Sequence, residues 1–238
     1  MKELPQHFPE VAVNFALTWD GRVTTRNRGR ADFSSPRDKQ RLLEIRASAD
    51  AVLVGRATLE TEQMRMGLDA PLRAQRLAQG RLPSPLRVVV SASGRFDLNA
   101  PFFQTDFSPI LIFTTSAMSP VTRAALVGKA EIDLNPGTRV DLRAMLAKLH
   151  RHRGVRRLVC EGGPTLLRAL LEENLVDEIN LTFCPRIFGG TDAPTLTGGP
   201  GAFLPASIEC RLEAAETVGD ECFARYRVLK PCAVSSPA

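Results

Sequence analysis

Long hydrophobic runs are absent from this sequence. No stretch of its 238 residues approaches the roughly 18 to 20 consecutive apolar residues that a bilayer span requires. Residues 1–5 also lack the apolar segment that is typical of a signal peptide. We therefore expect a cytoplasmic protein without a membrane partner. The composition, 44% hydrophobic and 24% charged, is ordinary for a globular chain.

Cysteines and large aromatic residues are few. The five cysteines include no C-x-x-C pair and have no histidines at metal-ligand spacing, which predicts reduced thiols, no disulfide framework and no metal site. One Trp and one Tyr offer little surface for stacking nucleic-acid bases. The net charge of +5 comes from arginines spread along the whole chain. We predict no nucleic-acid partner, and the mild positive charge suits an anionic small molecule.

Several common catalytic motifs are also missing. Neither G-x-G-x-x-G nor G-x-x-x-x-G-K-[ST] occurs, which argues against a standard Rossmann or P-loop site. The absence of G-x-S-x-G, together with only three histidines (His7, His150 and His152), argues against a hydrolase triad. The zinc deaminase signature is absent as well.

Buried strands alternate with helices over most of the chain. Ser35-Pro36-Arg37-Asp38 predicts the start of a helix that runs to about Ser48, with Ser35 as its N-cap. Apolar runs predict strands at 11–17, 51–54, 87–91, 110–114, 155–160 and 178–183. Further helices are predicted at 119–128, 140–150 and 164–171. Strands separated by helices of this length pair in parallel through crossover connections.

The C-terminal third has a different pattern. Residues 208–216 and 222–229 flank a Gly219-Asp220 turn, which predicts an antiparallel hairpin. The fold class is therefore α/β, with a mostly parallel central sheet, helices on both faces and a C-terminal antiparallel hairpin. We expect residues 1–231 to form one domain and residues 232–238 to form a disordered tail.

Two predicted strand-to-helix junctions carry glycine. Gly55 to Thr58 follow the second strand, and Gly162 to Thr165 precede a helix. Open α/β sheets bind ligands at the carboxyl ends of their strands, where backbone N–H groups and helix N-termini meet. Each junction suits a pyrophosphate, and each is also compatible with an ordinary tight turn.

Taken in order, several segments resemble the RibD C-terminal domain family, the reductase domain of the bacterial bifunctional deaminase-reductase of riboflavin biosynthesis. The matching segments are 14–21, 45–47, 50–58, 161–166 and 175–178, with Pro185 and Gly189 beyond. The resemblance implies a dihydrofolate-reductase-like fold and an NADPH-dependent oxidoreductase. Related reductases are commonly dimers, so we also expect a homodimer.

The resemblance implies where the NADPH would lie. Gly55, Arg56 and Thr58 would line one side of the cofactor. Its phosphates would contact Gly162, Gly163, Pro164, Thr165 and Leu166. Ser91, with Ser93 and Arg95, is a candidate for the adenosine 2′-phosphate, and a solvated turn is the alternative interpretation of that segment.

The substrate implied by the resemblance is a phosphoribosylamino-pyrimidine of the 5-amino-6-(5-phosphoribosylamino)uracil type, reduced at its ring-opened sugar carbon. Asn14, Arg46 and Glu161 map to the substrate region, and Glu161 and Asp20 are the candidate catalytic residues. Such chemistry depends mainly on holding the two reacting carbons close together. Alternatively, Asp20 only shapes its turn with Gly21, and Arg46 is an ordinary surface arginine of its helix.

The sequence departs from the family at two places. The family follows the Gly-x-x-Thr motif with Asp-Asp-Pro-x-Leu, whereas this chain has Glu-Thr-Glu-Gln-Met-Arg-Met at 60–66, and Asp32 stands where relatives often have Trp. The resemblance therefore defines the substrate less well than it defines the cofactor. One alternative is a dihydrofolate-reductase-like paralogue that reduces a pterin or another heterocycle. The other is a non-catalytic nucleotide-binding paralogue.

Overall fold

One sheet organises the molecule. The computed structural model describes residues 8–25, 33–198 and 203–230, and within them nine strands form a single sheet in the order β5-β4-β3-β2-β6-β1-β7-β9-β8. The strands are β1 (Glu10–Thr18), β2 (Ala51–Gly55), β3 (Leu86–Ser91), β4 (Ile110–Thr115), β5 (Glu131–Asn135), β6 (Arg157–Cys160), β7 (Glu178–Cys184), β8 (Glu209–Val218) and β9 (Glu221–Leu229). Asp32 and the predicted tail at 232–238 lie outside the described residues.

The pairing of the strands confirms the predicted mixed sheet. β1 to β7 pair only in parallel with one another, whereas β7 with β9 and β8 with β9 are antiparallel. The hairpin turns at Gly219, whose φ of 59° is a left-handed conformation that glycine adopts without strain. The carboxyl ends of the seven parallel strands therefore share one edge of the sheet.

Helices cover both faces of the sheet, as predicted. They are α1 (Pro36–Ser48), α2 (Arg56–Thr61), α3 (Ala70–Ala78), α4 (Pro120–Ala125), α5 (Leu142–Arg153) and α6 (Pro164–Glu172), with a short 3₁₀ helix at Pro101–Gln104. On one face, α5 and α6 pack on alternate residues of β1, including Val11, Val13 and Phe15. On the other, Ile45 of α1 packs on Ala12 and Val159.

Several element boundaries differ from the sequence prediction. The N-cap of α1 is confirmed, because the Ser35 side chain accepts a hydrogen bond from the Asp38 amide. The helix predicted at 119–128 ends at Ala125, and a turn with Gly128 at a φ of 77° follows. β5, α2 and α3 were not predicted. β5 was missed because it lies at the sheet edge and alternates charged or polar residues with apolar ones, none of them fully buried, so it lacks the apolar run of a buried strand.

A buried guanidinium fixes the segment between β3 and β4. Arg87 is 1% exposed, and its two terminal nitrogens donate to the carbonyl oxygens of Phe102, Thr105 and Ser108 and to the Thr105 hydroxyl. The guanidinium also lies over the Phe107 ring, 4.3 Å from its centroid. Burial lowers the pKa of Arg87 to about 10, which leaves it charged near neutral pH.

Replacing Arg87 with methionine is expected to lower the free energy of unfolding by about 3 kcal/mol, because several buried carbonyl groups lose their donor. Urea unfolding of the variant measures this loss. Arg123→Met is the matched control, since Arg123 is exposed on α4 and should change stability by less than about 0.5 kcal/mol. Equal losses in the two variants would contradict the structural role of Arg87.

Candidate active site

The two glycine junctions meet at the carboxyl edge of the sheet. The Gly55 amide at the end of β2 donates to the Gly162 carbonyl at 2.7 Å. A Cβ added to Gly55 would lie 3.6 Å from the Gly163 nitrogen, and one added to Gly163 would overlap the Thr58 hydroxyl oxygen. Gly163 itself has an extended backbone (φ −80°, ψ −174°) that any residue adopts. Close approach to Thr58, rather than backbone conformation, therefore calls for glycine at 163.

The second junction continues directly into α6. Gly162 has a φ of 97°, the Gly162–Gly163 peptide is cis, and a Cβ on Gly162 would meet the Phe15 ring at 3.0 Å. Gly163 is the N-cap of α6, and its carbonyl accepts from the Leu166 amide. Leu166 is buried, and Thr165 is exposed. The start of α6 thus directs the positive end of its dipole toward the strand edge.

A tight turn follows β3 at the same edge. Thr114 of β4 donates its hydroxyl to the Ser91 carbonyl at 2.6 Å, and the buried Ser91 hydroxyl accepts from the Gly94 amide at 3.1 Å. The Ser93 hydroxyl lies 3.3 Å from that of Ser91. Arg95 is exposed, and among the described residues no carboxylate lies within ion-pair distance of it. The turn is firmly held and presents a hydroxyl and a cation.

A buried ion pair lies beside the glycine junctions. Arg46 of α1 donates from Nε to one Glu161 oxygen at 2.5 Å and from Nη2 to the other at 2.7 Å. The side chains are 10% and 3% exposed, respectively. Arg46 also donates from Nη1 to the Gly67 carbonyl at 3.2 Å. The alternative of an ordinary surface arginine is therefore wrong, and the pair joins α1, β6 and the segment after α2.

Asn14 lies next to this pair. Val13 of β1 pairs with Cys160 of β6, so Asn14 and Glu161, one residue further along, project from the opposite face of the sheet, which α1 covers. Asn14 is partly exposed. Three predicted substrate residues, Asn14, Arg46 and Glu161, are thus brought together by β1, α1 and β6.

Asp20 is held by hydrogen bonds just beyond β1. Its carboxylate accepts from the Thr18 hydroxyl at 2.6 Å and from the amides of Phe188 and Gly189 at 3.2 and 2.6 Å. The hydrogen bond from Thr18 is the main cause that lowers the pKa of Asp20 to about 2, and the backbone amides add to it. Asp20 is therefore a carboxylate near neutral pH, and it ties the turn after β1 to the loop after β7.

Asp20→Asn is expected to lower the thermal midpoint near neutral pH and to lose that effect in acid. Because the folded pKa is depressed, Asp20 stabilises the fold above its ordinary pKa of 3.8, and this contribution disappears as the pH falls through about 2. Thermal unfolding across this range measures the difference. Asp220→Asn, in the exposed hairpin turn, is the control. If the difference in thermal midpoint between wild type and Asp20→Asn did not change with pH, the lowered pKa of Asp20 would be refuted.

The described part of the chain shows neither a metal centre nor a helix that could span a membrane. Within 8–25, 33–198 and 203–230, no three His, Cys, Asp or Glu side chains lie together in a way that could hold a metal ion. Of the helices in the same ranges, none is both long and apolar enough to cross a bilayer. Four cysteines in this part of the chain, Cys160, Cys184, Cys210 and Cys222, are free thiols.

Sequence reasoning missed two contacts that shape the site. The Gly67 carbonyl, which accepts a hydrogen bond from Arg46, comes directly after the 60–66 segment that departs from the family pattern, and no motif points to it. Glu60, the first residue of that segment, accepts from Arg56 Nη1 at 2.6 Å. Their spacing of four residues in a helix is a signal that could have predicted this second contact.

Together, these features define an α/β protein in which two glycine junctions and a buried ion pair lie at the carboxyl ends of parallel strands, the edge where open α/β sheets bind ligands. Residues 9–223 match the model of the RibD C-terminal domain. The chain is 36% identical over 214 residues to the 2,5-diamino-6-ribosylamino-4(3H)-pyrimidinone 5′-phosphate reductase of Archaeoglobus fulgidus, covering 89% of this chain and 94% of that protein. It is 34% identical over 223 residues to the reductase of the same name from Methanothermobacter thermautotrophicus, covering 92% and 98%, respectively.

A solved structure agrees with these sequence matches. The crystal structure of a pyrimidine reductase-like protein from Corynebacterium diphtheriae superposes with a TM-score of 0.80 at 24% identity, covering 93% of this chain and 92% of that one. The chain belongs to the RibD C-terminal domain family. It is an oxidoreductase. The predicted α/β fold class, with a mostly parallel central sheet and a C-terminal antiparallel hairpin, is confirmed.

Proposed function

We propose that this protein is an NADPH-dependent reductase of riboflavin biosynthesis, which transfers a hydride to the ring-opened sugar carbon of a phosphoribosylamino-pyrimidine. The observation that carries the proposal is the placement of the buried Arg46–Glu161 pair directly beside the two facing glycine junctions. A cofactor bound at the junctions would then lie next to a substrate held near the pair. The names of the two archaeal relatives support the choice of substrate class.

The residues at the strand edge fit a phosphorylated dinucleotide. Close packing at Gly55, Gly162 and Gly163 brings the two junctions together and places the N-terminus of α6 at the strand edge, where its dipole would attract a pyrophosphate. Arg56, Thr58, Pro164, Thr165 and Leu166 would line the same cofactor. Ser91, Ser93 and Arg95 would hold the 2′-phosphate, because their hydroxyl groups and guanidinium supply donors and positive charge.

The bound cofactor supplies a hydride, and the protein's own residues position the acceptor. Glu161 receives two hydrogen bonds from Arg46, and its remaining lone pairs would accept hydrogen bonds from a substrate hydroxyl or N–H group. Asn14 would add an amide contact on the same face. Asp20 would shape the wall of the site rather than donate a proton, since its pKa is lowered to about 2.

Two forms of the substrate differ at ring position 2. The archaeal relatives are named for a 2,5-diamino-pyrimidinone, whereas our sequence prediction was of the uracil type. Because of these relatives, we expect the diamino form to be the substrate, and the uracil form is tested alongside it.

The experiment is to mix the purified protein with NADPH and each pyrimidine in turn and to follow the loss of nicotinamide absorbance. Oxidation of NADPH, together with a ribitylamino product identified by mass spectrometry, is the expected result. Oxidation only with dihydrofolate, or with neither pyrimidine, would overturn the proposal.

Glu161→Gln should reduce turnover by about a hundredfold or more without weakening NADPH binding.

A homodimer is also part of the proposal. All ten residues of β8, the edge strand of the sheet, are exposed, including the large apolar Leu212. Exposed edge strands of this length are usually covered, and a second copy of β8 would cover it symmetrically. Light scattering after gel filtration should give twice the chain mass, and Leu212→Glu should shift the protein toward monomer. A monomeric wild type would contradict the dimer.

The cytoplasmic location and the absence of a nucleic-acid partner stay predictions.

A further inference from the structure

Glu60 connects two parts of the proposed cofactor site. It lies in α2, one turn after Arg56, and its Oε2 accepts from Arg56 Nη1 at 2.6 Å. Its other oxygen, Oε1, accepts from the Asp97 amide at 3.0 Å. A single carboxylate thus bridges α2 and the segment that follows β3.

One partner of Glu60 belongs to a segment assigned to the cofactor, and the other lies next to such a segment. Arg56 lies in the first glycine junction, and Asp97 comes two residues after the turn formed by Ser91, Ser93 and Arg95. That turn is already fixed on its β4 side, where Thr114 donates to Ser91. Glu60 supplies the corresponding restraint on the side of α2.

A restrained arginine binds a phosphate more tightly than a mobile one. A free arginine side chain loses much of its rotamer freedom when it binds an anion, whereas one that is already held loses less. Arg56 is partly exposed, so it is accessible to a ligand while Glu60 holds one of its terminal nitrogens. A guanidinium has five N–H donors, and most of them remain available after this contact.

We propose that Glu60 is a positioning residue for the adenosine 2′-phosphate of NADPH, acting through Arg56 and through the 91–97 segment. The inference rests on the proposed function. It predicts that Glu60 contributes to the preference for NADPH over NADH and does not contact the cofactor itself.

Two variants and one control test the role of Glu60. Glu60→Ala removes both contacts, whereas Glu60→Gln keeps an acceptor for the Asp97 amide and loses the charge that faces Arg56. Glu172→Gln is the matched control, because Arg168 and Glu172 form the same type of i,i+4 pair at 2.8 Å on α6. Dissociation constants are measured by fluorescence or calorimetry for NADPH, NADH and 2′,5′-ADP, and thermal midpoints are measured alongside.

Glu60→Ala should raise the dissociation constants of NADPH and 2′,5′-ADP by about tenfold and that of NADH by less than about twofold. Glu60→Gln should be intermediate, and Glu172→Gln should match wild type. Equal weakening of NADPH and NADH, or tighter NADPH binding by Glu60→Gln, would overturn the inference alone. A wild type that binds neither nucleotide would overturn the proposed function, and this inference with it.

Discussion

Replacing Gly163 with alanine is expected to weaken NADPH binding by at least about a hundredfold. An added Cβ would overlap the Thr58 hydroxyl oxygen, so the second glycine junction would have to move away from the first. The backbone of Gly163 is already in a region that alanine adopts, so no conformational strain competes with this explanation. A nucleotide titration followed by nicotinamide fluorescence measures the loss.

A second substitution identifies the cause. Thr58→Ala removes the overlapping oxygen, and a Cβ on Gly163 would then lie 3.7 Å from the Cβ of residue 58, an ordinary contact. Gly163→Ala/Thr58→Ala should therefore bind NADPH better than Gly163→Ala does. Gly137→Ala, in an exposed segment after β5, controls for the effect of an added methyl group. If Gly163→Ala bound NADPH as wild type does, the cofactor would not depend on this close packing.

Arg46→Met is expected to reduce the free energy of unfolding by about 3 to 5 kcal/mol, because it leaves the Glu161 carboxylate buried without its cation. Glu161 is 3% exposed on its side chain, so water cannot readily replace the lost donors. The Gly67 carbonyl also loses a hydrogen bond. Urea unfolding of the variant measures the loss.

A double-mutant cycle separates the ion pair from simple packing. In Arg46→Met/Glu161→Leu no buried charge remains, so the double variant should recover most of the stability that Arg46→Met loses, while turnover stays abolished. Arg41→Met is a control on the same helix, because Arg41 forms no buried ion pair among the described residues; it contacts the Phe223 ring instead. Strictly additive losses from Arg46→Met and Glu161→Leu would contradict a coupled pair.

Local sequence signals were sufficient for much of the fold. Ser35 followed by Pro36 and Asp38 marked the start of α1, and Gly219-Asp220 marked the hairpin turn. The long apolar runs of β1 and β4 marked strands buried between two layers of helices. Each of these signals depends on residues close together in the chain, which is why a single sequence reveals them.

Other features depend on neighbours that are distant in sequence. Arg46 and Glu161 are separated by 115 positions, and no local pattern shows that they pair. The start of α3 did have a local signal, because Asp69 is its N-cap, accepts from the Leu72 amide and is followed by Pro71. The helix itself is only weakly apolar, so the sequence did not predict it. The glycine junctions were recognised separately, whereas their contact follows from the placement of β2 beside β6 in the sheet.

The central claim, that NADPH binds where the two glycine junctions meet, is tested most directly by hydrogen–deuterium exchange with and without the nucleotide. We expect NADPH to slow exchange in peptides covering 53–60, 91–97 and 161–166, and NADH to protect 91–97 less because it lacks the 2′-phosphate. Peptides covering β5 and α5 should be unchanged. Protection confined to β5, α5 or the hairpin, with none at the junctions, would contradict the account.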